Sequence, residues 1–282
     1  MQHVLGLDHV VILVRDLDDA DARMERLGFR PTPRGVHSEH MGTANATVML
    51  ENRTYFETLT VLQATPANEE IHAVLAEREG LFGLVLKTDD AHGAAEAFEA
   101  AGIATGGALA FVRPVALPNG TEDACFTIAR TRGDATPGAW LFVCQHHTPD
   151  IVWREDYLAQ PNGAAGIAEA IGIADDLMAI EDAYGVIFGE RCRRTADRVT
   201  IAAGDASITF LAPSAFVERF GAVGGPVSSP RPRLAALRIR VHDLDKARAT
   251  LERNHVPCSE GSGRSVLVAP DQVCGTLLEL AP

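Results

Sequence analysis

Apolar and polar positions along the chain form a pattern that occurs four times: a short apolar strand, an acidic cap, an amphipathic helix of small residues, and a chain reversal. The first unit predicts a strand from Leu7 to Val14, a cap at Asp16, a buried stripe of Ala20, Met24 and Leu27, and a stop at Gly28-Phe29. The second runs Leu81 to Leu86, Asp89, Ala91, Ala94, Phe98 and Gly102-Ile103. The third offers Ile167 to Ile173, Asp175, Leu177, Ile180, Tyr184 and Gly185-Val186, and the fourth Leu234 to Val241, Asp243, Leu244, Ala247, Leu251 and Asn254. A carboxylate just ahead of each stripe accepts orphan backbone N–H groups and meets the positive end of the helix dipole. Gly28 and Gly102 supply the left-handed residue that ends a helix.

After each helix, alternating apolar stretches predict further strands: Ala46 to Leu50 and Tyr55 to Val61, Ala124 to Ala129 and Trp140 to Cys144, Val199 to Ala203 and Ala206 to Leu211, Ser265 to Val268 and Thr276 to Leu280. Each unit therefore reads as a βαβββ module. The cap aspartates are spaced by 73, 86 and 68 residues, and such irregular offsets disfavour a solenoid, whose repeats keep a fixed period. A duplicated α+β architecture fits better. Turn residues are dense at Gly106-Gly107 and from Pro114 to Gly120, and two soft segments interrupt the pattern, from Gln145 to Ala165 and from Gly221 to Pro232. The expected organisation is an N-terminal domain over 1–147, a linker over 148–164 and a C-terminal domain over 165–282.

Composition narrows the function classes. The chain has 282 residues, 46% hydrophobic and 22% charged, with a net charge of −13, which disfavours nucleic acid as a partner because phosphate backbones call for basic surfaces. No apolar run approaches a membrane span, and no signal-like segment opens the chain, so a cytoplasmic protein without membrane attachment is expected. Five scattered cysteines, none spaced as Cys-x-x-Cys, read as reduced and mostly buried. No dinucleotide, phosphate-loop or serine-hydrolase motif occurs.

The stretch Leu7-Asp8-His9-Val10-Val11-Ile12-Leu13-Val14-Arg15-Asp16, with Arg23 to Phe29 closing the helix, resembles the first module of the vicinal oxygen chelate superfamily. His40-Met41-Gly42-Thr43-Ala44-Asn45, leading to Tyr55-Phe56-Glu57-Thr58-Leu59, is similar to its glyoxalase-like branch. The resemblance implies that pairs of modules curl into open barrels of the glyoxalase and bleomycin-resistance kind, here two in one chain, each around a cup. It also implies a metal site in which His9 from a first strand and Glu57 from a last strand ligate a divalent cation such as Fe, Mn, Zn or Ni. Aligned on the cap aspartates, the other modules carry Phe82, Ala168 and Ala236 in place of His9, so the second barrel is expected to lack a metal although Glu279 matches Glu57.

A catalytic metal usually has three protein ligands and an open position. Alternation along the last strand of module two puts Trp140, Phe142, Cys144 and His146 on one face, which makes His146 the third ligand candidate or a substrate contact. His40 and Asn45 are candidates for binding a substrate carboxylate or carbonyl, and Trp153 for covering it, with Arg154 beside it for an anionic group. The favoured reading of Trp153 and Tyr157 is as anchors pinning the linker against the barrels. The functional expectation is a metal-dependent lyase, isomerase or dioxygenase, with Glu57 catalytic, acting on a small oxygen-rich metabolite in the N-terminal cup. The alternative is a metal-free protein that binds or sequesters a small molecule. A homodimer through the second barrel is a further expectation.

Overall fold

The computed structural model describes residues 1–117, 120–132, 135–225, 227 and 231–282. Strands β1 (Gly6–Leu13), β2 (Gly35–Val36), β3 (Thr43–Met49), β4 (Tyr55–Val61), β5 (Gly80–Lys87), β6 (Ala108–Leu117), β7 (Gly120–Arg130) and β8 (Trp140–His146) form one eight-stranded sheet in the order β2-β3-β4-β1-β5-β8-β7-β6. Strands β9 (Ala164–Ile173), β10 (Cys192–Arg194), β11 (Arg198–Ala203), β12 (Ala206–Leu211), β13 (Arg233–Val241), β14 (Ser259–Gly261), β15 (Ser265–Val268) and β16 (Leu277–Ala281) repeat that order in a second sheet. In both sheets the first strands of two successive modules pair antiparallel at the centre, and each pairs parallel with the last strand of its own module. The architecture is the expected α+β arrangement of four βαβββ modules.

Helices α1 (Leu17–Arg26), α3 (Ala91–Ala100), α6 (Leu177–Phe188) and α8 (Leu244–Arg253) lie in the four modules at the predicted places. In α1 the Asp16 carboxylate accepts N–H bonds from Asp18 and Asp19, and Leu17, Ala20 and Met24 are buried. The chain reverses at Gly28, whose φ of +81° is left-handed, as the Phe29 N–H returns to the Met24 carbonyl at 2.9 Å. Each large buried apolar side chain of this kind, such as Leu17 or Met24, contributes about 1.5–3 kcal/mol. One core runs through both sheets, and two smaller apolar clusters line the two cups.

Several predicted details shift. The caps of α3 and α6 are Asp90 and Asp176, not Asp89 and Asp175. Paired aspartates left the choice open in the sequence, and in every module the cap is the one directly before a buried Leu or Ala. Helix α6 continues through Gly185 and stops at Gly189. Pro114 lies within β6, at the edge of the sheet, where proline is tolerated because no ladder hydrogen bond is lost; residues 118 and 119 of the predicted excursion lie outside the described residues. Helices α2 (Glu69–Glu77) and α7 (Pro213–Phe220), and the single turns α4 (Pro149–Val152) and α5 (Glu155–Leu158), are additional. Of the soft segment from Gly221 to Pro232, residues 226 and 228–230 also lie outside the described residues. All five cysteines are free, with Cys144 and Cys274 buried and the other three half-buried.

The corrected caps bring the four modules into register. A bulge falls eight residues before the cap each time, at Asp8, Phe82, Ala168 and Ala235. The residue after it, seven before the cap, is His9, Gly83, Glu169 and Ala236. Among the described residues no helix is long and apolar enough to cross a membrane.

Candidate active site in the N-terminal cup

The first sheet curls around a cavity of about 560 Å³. Its polar lining includes His9 (β1), Asn45 (β3), Glu57 (β4) and Arg113 (β6), and its apolar walls include Phe111, Phe126, Trp140 and Phe142. Every one of these residues lies on a strand, so backbone ladders fix their positions.

The bulge at Asp8 determines the chemistry of this end. Neighbours on a regular strand point to opposite faces, but the extra residue disrupts the ladder and lets the Asp8 carboxylate reach its own neighbour: Asp8 Oδ1 lies 2.7 Å from His9 Nδ1. The same oxygen lies 3.0 Å from His146 Nε2. Asp8 is fully buried. Burial by itself pushes the Asp8 pKa up, but hydrogen bonds from His146 and His9 outweigh it and hold the carboxyl well below the usual carboxylate range. An ionised Asp8 accepts the Nδ1 proton of His9, so Nε2 is the nitrogen left to work in the cavity.

That nitrogen is 3.7 Å from Glu57 Oε2 and 3.4 Å from the Tyr55 hydroxyl, whose ring stacks on the imidazole at 4.1 Å. Burial raises the Tyr55 pKa further, so its hydroxyl stays a donor. Glu57 Oε1 accepts from Asn45 Nδ2 at 2.8 Å, and Asn45 Oδ1 accepts from Arg113 Nη1 at 3.3 Å. Gly35 makes this chain possible: a Cβ there would lie 2.5 Å from Arg113 Nη1 and 2.6 Å from Asn45 Oδ1. His37 donates or accepts at Thr43 Oγ1 over 2.8 Å, and burial lowers its pKa, so it is neutral at pH 7.

The predicted site residues separate into two groups. His9, Asn45 and Glu57 meet at one end of the cavity, and His40 sits at its exposed rim, bonded to Ser38 Oγ at 2.9 Å. His146 and Trp153 do not line the cavity. They pack together at 4.4 Å behind the Tyr55 ring, with Trp153 also 6.1 Å from Tyr55. Arg154 forms a two-point pair with Asp156 at 3.0 and 2.6 Å. Asp8 and Arg113 were not among the sequence candidates. Asp8 precedes the histidine in a strand that otherwise reads as continuous, and Arg113 stands beside a proline that reads as a turn.

A catalytic divalent cation usually takes three protein ligands, here to be drawn from four structurally equivalent positions, one on the first and one on the last strand of each module. Two are His9 and Glu57. The strand register makes Gly83 the counterpart of His9 and Phe142 the counterpart of Glu57, since Val11 faces Glu57 just as Val85 faces Phe142. Neither carries a donor, and a Cβ at Gly83 would lie 2.8 Å from Val11, so no side chain fits there. His146 is held by Asp8 instead of facing Glu57. Among the described residues no group of three or more His, Cys, Asp or Glu side chains is arranged to hold a metal ion. The donor set does not fit a protein-held metal.

The second cup is built differently. Glu169 and Thr209 occupy the positions of His9 and Glu57, Glu279 occupies that of Phe142, and Arg219 from α7 reaches both carboxylates at 2.7 Å. Phe216 and Phe220 of the same helix fill the space alongside.

The sequence matches the glyoxalase-like domain family over residues 7–187. No curated protein matches it. Among solved structures, a hypothetical protein from Staphylococcus aureus is similar with a TM-score of 0.71 at 10% identity, covering 98% of both chains. A mutant 4-hydroxymandelate synthase from Streptomyces coelicolor is similar with a TM-score of 0.61 at 11% identity, over 99% of this chain and 92% of that one. A Mn(II)-bound glyoxalase from Novosphingobium aromaticivorans has a TM-score of 0.58 at 12% identity, over 99% and 82%. Metal use thus occurs among proteins of this shape, and the family match covers both modules of the first sheet together with β9 and most of α6. The chain belongs to the glyoxalase-like domain family of the vicinal oxygen chelate superfamily.

Proposed function

We propose that the N-terminal cup is the active site of an enzyme that moves a proton on a small, oxygen-rich carbonyl compound, an isomerase or lyase type of reaction. The observation that carries this reading is His9, locked by buried Asp8 at Nδ1 while Nε2 opens on the cavity 3.7 Å from the Glu57 carboxylate. A base and a carboxylate side by side suit removal of a proton from carbon next to a carbonyl and its return to a neighbouring atom. His9 takes the proton at Nε2, and ionised Asp8 stabilises the imidazolium that forms. Glu57, aligned by Asn45 and Arg113, exchanges protons with the substrate oxygen. Tyr55 and Asn45 supply donors where negative charge develops.

The metal-dependent reading that the superfamily suggests finds two donors in this cup, so no step is routed through a cation. The aromatic walls support a second reading, in which the cup holds a ligand without changing it. The two differ in one measurement. Proton NMR in deuterated water should show exchange of the carbon-bound protons of a 2-oxo acid such as phenylpyruvate, slowed by at least ~100-fold in His9→Gln, as expected for loss of a general base. Tight binding with no exchange above the background rate would leave the holding role and remove the catalytic one.

A further inference from the structure

The cavity has an excess of fixed positive charge that the proton chemistry does not use. Among its described lining residues Glu57 is the single carboxylate, whereas Arg113, Arg130 and Arg132 all contribute. They occupy two places. Arg113 is buried beside Asn45 at the His9 end. Arg130, half-buried at the end of β7, lies with its guanidinium 5.4 Å from the centre of the Trp140 ring. Arg132 is exposed and held against the loop before β6: its Nε donates to the Thr105 carbonyl at 3.0 Å, and a Cβ at Gly106 would sit 2.6 Å from Nη2. Between the two places stand aromatic walls, with Phe111 and Phe126 stacked at 5.0 Å and Trp140 against Phe142 at 4.8 Å.

A guanidinium drawn partly out of water is costly unless an anion compensates it. Burial lowers the Arg130 pKa, Glu70 of α2 opposes that effect without cancelling it, and neighbouring Arg132 adds to it. An oxyanion placed between the two guanidiniums would satisfy both through charge-assisted hydrogen bonds, for which the planar fork of arginine is suited.

We infer that the cavity takes an aromatic oxyanion, a ring-bearing carboxylate or phosphate whose acidic group sits at Arg130 and Arg132 while its other end reaches His9. The inference rests on the reading of this cup as the active site and adds the class of its substrate. The aromatic body lies against Phe111, Phe126 and Trp140, and the acidic group fixes which end meets the base. Because Arg113 is separate and already bonded to Asn45, it serves the reacting end and not the anchoring one.

Binding is measured by calorimetry with 3-phenylpropionate, phenyl phosphate and the neutral 3-phenylpropanamide, on the native chain, Arg132→Gln, Arg130→Gln/Arg132→Gln and His9→Gln. At least one acid should bind roughly tenfold or more tighter than the amide, as expected for two charge-assisted contacts. Which acid wins distinguishes carboxylate from phosphate. The double variant should lose that preference, Arg132→Gln should reduce it, and His9→Gln should keep it. Equal binding of acid and amide, a preference that survives the double variant, or no acid binding below about 10 mM would overturn the inference. Arg132 is exposed, so its single variant keeps the test sound if the double variant folds poorly. The two readings fail separately: preference lost in the double variant, with native exchange in His9→Gln, removes the proposed reaction alone. The reverse pattern removes the anion anchor alone.

Discussion

Asp8 is the residue on which most of this site depends. Its carboxylate is buried, ionised and shared between two imidazoles, and its second oxygen has no described partner. Removing its charge leaves His9 and His146 with a neutral amide oxygen in place of their shared ionised acceptor, and Asp8→Asn is expected to cost about 3 kcal/mol of folding stability in urea titration. The pH dependence follows from the direction of its shift. A carboxyl held below its ordinary value of 3.8 contributes stability that is complete above that value and is lost as pH falls toward the folded-state value. The native chain should therefore lose stability below about pH 4 more steeply than Asp8→Asn, with the two curves running parallel above it. His9, Glu57 and Asn45 were legible in the sequence because their residue types and spacing are those of a known module. Asp8 was not, because its role depends on a bulge that apolar periodicity does not reveal.

At the scale of elements, one residue of register decides what the modules have in common. Adjacent aspartates at 89–90 and 175–176 placed two caps one position early, which made Phe82 and Ala168 the counterparts of His9. The true counterparts are Gly83 and Glu169, so module two lacks a side chain and module three has a carboxylate. Gly83→His, which restores a ligand type at the equivalent position, is expected to destabilise the chain by about 1–3 kcal/mol through overpacking against Val11, measured by thermal unfolding. It should not create a tight metal site. Strands and module helices were readable from period-2 and period-3.6 patterns. Helices α2 and α7 were missed although each carries a signal: Ile71 and Leu75 four apart in α2, and Phe216 and Phe220 four apart behind Pro213 in α7. The omission matters because α2 supplies Ile71 to the first cavity and α7 closes the second.

Across the whole molecule, duplication has produced one open cup and one filled cup. The strand positions that hold His9, Glu57 and Phe142 in the first sheet hold Glu169, Thr209 and Glu279 in the second, where Arg219 pairs with both carboxylates. Glu279 is 1% exposed, so Arg219→Met leaves buried negative charge uncompensated. That variant should lose about 3–5 kcal/mol in chemical denaturation, and adding Glu169→Gln and Glu279→Gln should recover most of it. Activity in the first cup should survive this triple change, since the chemistry is assigned to one sheet. The account stands on His9 acting as a base without a protein-held metal. The most direct test is phenylpyruvate proton exchange by chelator-dialysed protein, compared with the same protein given Mn(II) and with His9→Gln. Exchange that persists after chelation, is unchanged by Mn(II), and falls by at least ~100-fold in His9→Gln is the predicted result; exchange that disappears on chelation and returns with Mn(II) would contradict it.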